Sequence, residues 1–210
     1  MSHAELDTPD PTPGGDAPAG ARKRPKPGER RVQILQALAT MLEQPGAERI
    51  TTAALAARLD VSEAALYRHF ASKAQMFEGL IEFIEQSVFT LINQITEREP
   101  AGPAQAGRIV AMLIQFAEKN PGMTRVMVGD ALVFENDRLQ QRMNQFFDKI
   151  ESSLKQCLRS TTDAAAPTVD AQVRASVLTA FIVGRLQRFA RSGFKRAPSE
   201  HLEQALQRML

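Results

Sequence analysis

The chain has 210 residues, 43% apolar and 24% charged, which suits one helical unit of moderate size or a small domain fused to a larger one. No run of about 18 apolar residues is available to span a bilayer, and the first 21 residues lack the charged start and apolar middle of a signal peptide, so a cytoplasmic protein with no membrane partner is expected. The formal charge of +2 understates a basic character, because residues 1–21 hold Glu5, Asp7, Asp10 and Asp16 and no Lys or Arg, leaving +6 on the remainder.

Residues 1–27 are rich in Pro, Gly, Ala and Asp, with Leu6 the only large apolar residue after Met1, a composition that cannot offset the entropy of ordering. They are expected to form a disordered, basic and Pro-rich tail. Arg22, Lys23, Arg24 and Lys26, joined by Arg30 and Arg31, make an arm that a phosphate backbone attracts, although a solvated charge run has the same composition. From Arg30 the pattern turns helical: Ile34, Leu35, Leu38, Met41 and Leu42 recur at helical spacing until Pro45 and Gly46. Two short helices follow over residues 52–59 and 63–69, with only Asp60, Val61 and Ser62 between them, which implies a tight corner.

Ser72 is placed to cap a fourth helix, with Gln75 three residues on. That helix runs towards Glu99 on a stripe of Met76, Phe77, Leu80, Ile81, Ile84, Val88, Leu91, Ile92 and Ile95, and should link the two parts of the molecule. A fifth helix carries Ile109, Val110, Met112, Leu113, Phe116 and Ala117, is apolar nearly all round, and stops at Asn120, Pro121 and Gly122. Residues 123–134 read as a short, Gly-interrupted helical stretch, and Leu139, Met143, Phe146, Phe147, Ile150, Leu154 and Leu158 predict a long amphipathic helix. After a loop over 160–168, residues 169–189 are apolar on several faces, with Ala175, Ala180 and Gly184 allowing close approach. A last helix, starting at Pro198, carries Leu202, Leu206 and Met209. These stripes are first of all core, and no segment alternates like an exposed strand, so the fold class is all-α.

Catalytic and metal chemistry find little to work with. Cys157 is the only cysteine, which excludes an intrachain disulfide and a thiolate zinc cage, and a buried structural thiol is its expected role. His3, His69 and His201 share no helical face, which argues against a His-based metal site or triad. A protein without enzyme activity, metal or cofactor is expected.

Three features converge between Arg49 and Lys73. Ala53, Leu55, Ala56 and Leu59 supply a small apolar face to a supporting helix, and Thr51 or Thr52 supplies its N-cap oxygen. Asp60 takes the corner, where a left-handed backbone favours Gly and tolerates Asp, and Val61 plugs the core beneath it. Ser62 caps the next helix, and Leu66 and Phe70, four apart, anchor it from behind. Ala64, Ala65, Tyr67, Arg68 and His69 are left on the outer surface. Small residues let such a helix sink into a major groove about 12 Å wide, while hydroxyls and cations reach phosphates and base edges. Tyr67, the only tyrosine, has the alternative role of a half-buried aromatic with a hydrated hydroxyl.

The order Ile-Thr-Thr-(x2)-Leu-Ala-(x4)-Val-Ser-Glu-Ala-Ala-Leu-Tyr-Arg-His-Phe-(x)-Ser-Lys closely resembles the signature of the TetR family across about fifty residues. The resemblance implies a three-helix helix-turn-helix DNA-binding domain over 28–74, followed by a helical-bundle domain over 75–210 for dimerisation and partner binding. By it, Thr51, Thr52, Ser62, Ala65, Tyr67, Arg68, His69 and Lys73 fall at the DNA contacts, with Tyr67 and Lys73 on phosphates; Asp60 stands where the family usually has Gly.

Further segments, Leu-Ile-Glu-Phe-Ile-Glu, Glu-Lys-Asn-Pro-Gly-Met-Thr-Arg, Ala-Leu-Val-Phe-Glu-Asn-Asp-Arg-Leu-Gln and Arg-Phe-Ala-Arg-Ser-Gly-Phe-Lys, resemble the members of the family that act in nucleoid occlusion. Those proteins bind scattered chromosomal sites and antagonise polymers of the tubulin-like protein FtsZ. The resemblance implies a groove for the FtsZ C-terminal tail between the fourth and fifth helices, edged by Phe83, Met112 and Lys119; Leu91 and Gln115 stand where relatives can have Arg and Gly. The ordinary role of Phe83 and Met112 is core.

One helix-turn-helix reads a half-site, so a homodimer reading a near-palindrome is expected, joined through 169–189 and the last helix. Two rival readings are a TetR-type transcriptional repressor released from DNA by a small apolar effector, and a structural helical dimer with no DNA affinity.

Overall fold

The computed structural model describes residues 28–44, 50–159 and 167–210. The predicted tail with Arg22, Lys23, Arg24 and Lys26, the helix stop at Pro45 and Gly46, and nearly all of the loop over 160–168 lie outside the described residues. Every element within them is helical: α1 (Glu29–Leu42), α2 (Thr52–Arg58), α3 (Glu63–Tyr67), α4 (Lys73–Arg98), α5 (Pro103–Lys119), α6 (Pro121–Met127), a 3-10 turn (Asp130–Leu132), α7 (Asp137–Arg159), α8 (Pro167–Arg191) and α9 (Leu202–Met209).

The expected caps set the starts of the helices. Ser72 Oγ accepts from Gln75 N at 3.2 Å, while the Gln75 carboxamide reaches one residue further back and accepts from Ala71 N at 2.9 Å. At the other end of α4 the buried Gln105 side chain donates to the carbonyls of Thr96 and Glu99, at 3.4 and 2.7 Å, closing the last turn on α5. The predicted stripes of α4, α5 and α7 are mostly buried, and one core runs from Ile34 and Leu38 of α1 through Phe77 and Ile84 to Leu186 of α8. Phe146 meets Phe89 and Phe147 edge to face, with ring centroids 5.7 and 5.2 Å apart. Cys157 is buried as expected, and that burial pushes its thiol pKa up.

Four expectations are corrected. The second helix of the motif stops at Tyr67 rather than at residue 69, because the amides of His69 and Phe70 both fold back on the Leu66 carbonyl, at 2.9 and 3.1 Å, and tighten the last turn. Pro121 and Gly122 start a helix instead of standing before one: Pro121 is at a first helical position, and Thr124 N closes on the Asn120 carbonyl at 2.9 Å. The last helix begins at Leu202 and not at Pro198, since His201 is left-handed (φ 52°) and Arg185 draws in the carbonyls of Pro198 and Glu200, at 3.4 and 2.6 Å. Ala53 and Leu91 are exposed, so neither belongs to the buried faces assigned to them.

Polar ties fix the relative placement of the elements. Lys73, first in α4, pairs with Glu135 in the segment before α7; Glu78 pairs with Arg138; Glu85 holds Arg142 at 2.5 Å and keeps its guanidinium still more firmly protonated. The start of α7 therefore lies beside the start of α4, next to α1–α3. α8 returns along α7, with Gln172 on Glu151 at 2.6 Å, so its C-terminal end comes back to the side of α1–α3. α9 then folds against α8 in the opposite sense, from the Arg185 contact with Glu200 to that of Arg174 with the Leu210 carbonyl at 2.7 Å.

Candidate nucleic-acid interface

The corner between α2 and α3 has the geometry its residues predict. Asp60 is left-handed at φ 54°, Val61 is half-buried against the core, and its amide reaches the Ala56 carbonyl at 3.1 Å. Thr51, rather than Thr52, caps α2, accepting from Ala54 N at 3.2 Å, and Ser62 caps α3, accepting from Ala65 N at 3.3 Å. Each capping oxygen accepts from the backbone and keeps its own proton to donate outward.

Leu66 and Phe70 are each 1% exposed, which anchors α3 from behind. Ala64, Tyr67, Arg68 and His69 face solvent, and Ala65 is half-buried. Tyr67, 44% exposed, stands out at a surface position, and its hydroxyl lies 3.5 Å from Thr52 Oγ1. Thr52 in turn donates to Glu63 at 2.5 Å, so Glu63 of α3 is tied to α2. Arg31 of the expected basic arm crosses to this unit: it donates to the His69 carbonyl at 2.6 Å and stacks 4.0 Å from the Phe70 ring centroid. The roles of Glu63 and Arg31 in bracing α3 had no signature in the sequence, because both depend on contacts across helices. Lys73 has its ammonium engaged by Glu135 and lies 5.7 Å from the Phe77 ring, half-buried and beside the interface. Glu135, 62 residues away in sequence, was not legible as its partner.

A groove of about 470 Å³ lies between α4 and α5, lined by Leu91, Gln94, Arg98, Arg108, Met112 and Gln115 among others. Met112 lies in it, while Phe83 and Lys119, exposed on the same hairpin, do not line it; α4 and α5 run antiparallel, which puts both nearer α1–α3. Arg108 pairs with Glu99 at 2.6 Å on its rim. An adjoining concavity on the other side of α5 is bounded by Gly107, Leu206 and Leu210.

Residues 34–80 match the tetR family of bacterial regulatory proteins, and residues 104–210 match the Tetracyclin repressor-like, C-terminal domain of SlmA-like type. The nucleoid occlusion factor SlmA of Idiomarina loihiensis is 53% identical over 174 residues, 82% of this chain and 89% of that protein. Those of Photobacterium profundum (51% over 181 residues, 85% and 92%) and Vibrio vulnificus (50% over 189 residues, 89% and 94%) are similar to the same extent. Among solved structures, the fatty acid degradation regulator FadR of Bacillus halodurans has a TM-score of 0.72 at 12% identity over 87% of this chain and 95% of its own. A TetR transcriptional regulator of Legionella pneumophila has a TM-score of 0.69 at 13% identity, over 87% and 97%. At those identities the likeness is one of fold.

Proposed function

Because this chain belongs to the TetR-type nucleoid occlusion factors of the SlmA family, we propose that it is a homodimer that binds near-palindromic chromosomal DNA and, when bound there, antagonises FtsZ polymers over the nucleoid. The observation that carries this reading is the reach of the likeness. The relatives are 50–53% identical over 82–89% of this chain, a span that takes in the bundle as well as the helix-turn-helix, and the SlmA-like C-terminal model matches residues 104–210.

In this reading Thr51, Thr52, Ser62, Ala65, Tyr67, Arg68, His69 and Lys73 meet the duplex. The slim side of α3 enters the major groove, and hydroxyls and cations fall on phosphates. Val169, Val173 and Val177, four apart on α8 and 63, 57 and 51% exposed, supply the apolar stripe of a two-fold interface. A Cβ at Gly184, further along the helix, would meet nothing within 4 Å, so a partner helix has room to approach. The tail of FtsZ lies along the α4–α5 hairpin, with Met112 in the groove and Phe83 and Lys119 outside it, at the end of the hairpin nearer α1–α3. Several dimers on one DNA present several grooves to the many tails of a filament, and weak contacts then add through effective concentration.

The test is sedimentation of FtsZ polymers with the full chain, with and without duplex DNA carrying a site selected by the protein. The expected result is a loss of pelleted FtsZ that requires the DNA. A pellet unchanged with DNA bound refutes the FtsZ role and leaves an effector-released repressor, and failure to bind any duplex at low salt leaves a structural dimer.

A further inference from the structure

The run Arg-Phe-Ala-Arg-Ser-Gly-Phe-Lys-Arg at 188–196 is absorbed by neither the helix-turn-helix nor the α4–α5 hairpin. It ends α8 and turns towards α9. Arg188, Arg191, Lys195 and Arg196 are all exposed, and none forms an ion pair among the described residues. The next carboxylate along the chain, Glu200, lies 3.9 Å from the His201 ring instead.

The turn that carries these cations is built. Ser192 Oγ accepts from the amides of Lys195 and Arg196, at 3.1 and 2.9 Å, and donates to the Phe189 carbonyl at 2.8 Å. Gly193 and Phe194 are both left-handed, at φ 62° and 64°. For a bulky residue such as Phe194 that conformation is strained. It is held by the edge-to-face contact of its ring with the buried Phe189, centroids 5.1 Å apart, and by its amide on the Phe189 carbonyl at 3.0 Å. A strained turn fixed in this way presents Lys195 and Arg196 from one defined backbone.

Its place in the molecule indicates what it faces. α8 returns to the side of α1–α3, so the cluster lies at the DNA-reading end. For two copies of α3 to meet one duplex, the two-fold axis must run from the far end of the bundle towards the DNA. With the valine stripe of α8 at that axis, the C-terminal ends of both α8 helices fall between the two helix-turn-helix units. Half-sites one helical turn apart leave, between them, a minor groove flanked by two phosphate strands. Two unpaired cation clusters converging on one axis repel one another unless they face an anion.

We propose that Arg188, Arg191, Lys195 and Arg196 form a second DNA surface that binds the phosphate backbone between the half-sites, without reading bases. This rests on the DNA-binding reading above and adds to it a contact from the C-terminal domain. Such contacts strengthen binding to any sequence alike and steepen its salt dependence.

The experiment measures affinity against salt concentration for the full chain and for a variant carrying Arg188→Gln, Arg191→Gln and Lys195→Gln. The probes are a duplex of about three helical turns carrying the selected site and one with both half-sites scrambled. The variant is expected to bind both more weakly. The slope of log affinity on log salt falls by at least about 2, at about 0.9 for each phosphate that the dimer no longer neutralises. The ratio between the two duplexes stays within about twofold, because phosphate contacts carry no sequence information. Uncharged methylphosphonates between the half-sites should weaken the wild-type chain and leave the variant unaffected. Lys195→Gln alone, at an exposed side chain, guards against misfolding and should give a smaller fall of the same kind. An unchanged slope with wild-type dimerisation overturns the proposal. So does an unchanged slope with abolished binding to vesicles containing phosphatidylglycerol, which assigns the cluster to anionic lipid. If the wild-type chain itself binds neither duplex, it is the DNA-binding reading that fails.

Discussion

Lys73 stands where two demands on one ammonium meet. By the TetR resemblance it belongs to a phosphate, yet Glu135, with 10% of its side chain exposed, holds it across the fold. A partly buried carboxylate beside the interface both occupies the cation and repels the duplex. Glu135→Gln is therefore expected to raise DNA affinity and to steepen the salt dependence by about 0.9 for each phosphate that a freed ammonium neutralises, read by titration at several salt concentrations. A higher affinity with an unchanged slope would mean that Lys73 does not reach the backbone. At this scale the sequence was informative wherever function depends on local spacing. Ser62 as a cap, Leu66 and Phe70 as anchors and Asp60 as the left-handed corner all follow from positions within a few residues of one another. Glu135, Arg31 and Glu63 were not legible as partners, because side-chain pairs between helices leave no period in the chain.

The contact of α6 with α1 is the tightest meeting of two elements that glycine permits here. A Cβ at Gly122 would lie 1.9 Å from the Ala39 carbonyl oxygen, which is backbone and has no rotamer to yield. Next to it Arg125 donates to the carbonyls of Leu42 and Gln44, at 3.4 Å each, and so closes the end of α1. Gly122→Ala should push α6 from α1 and destabilise the protein by about 2–3 kcal/mol. In urea unfolding this is a lower midpoint with an unchanged slope. The sequence marked Asn120, Pro121 and Gly122 as the stop of α5, which does end at Lys119, but began the next helical stretch at Met123 rather than at Pro121. Proline fits the first turn as well as it fits a break, and only the packing of Gly122 on α1 shows that a helix must begin there.

At the scale of the whole molecule the proposed two-fold interface rests on the exposed stripe of Val169, Val173 and Val177, which would couple two half-site readers. Val173→Lys with Val177→Lys places four like charges in that interface and should yield a folded monomer in sedimentation velocity. The affinity for a palindrome should fall by at least about a hundredfold, since the second half-site no longer benefits from effective concentration. A dimer that persists would move the interface elsewhere. The sequence by itself determined the helical class, most helix positions and the face of α3, because periodicity, caps and corner chemistry act over one or two turns of chain. Tertiary structure alone decided which stripes are covered and which stay open, that Leu91 faces solvent and Phe83 lies outside the α4–α5 groove, and that the end of α8 returns to the DNA-reading side. The reason is physical: an apolar stripe states only that it needs a partner, and the partner is chosen by how distant helices pack.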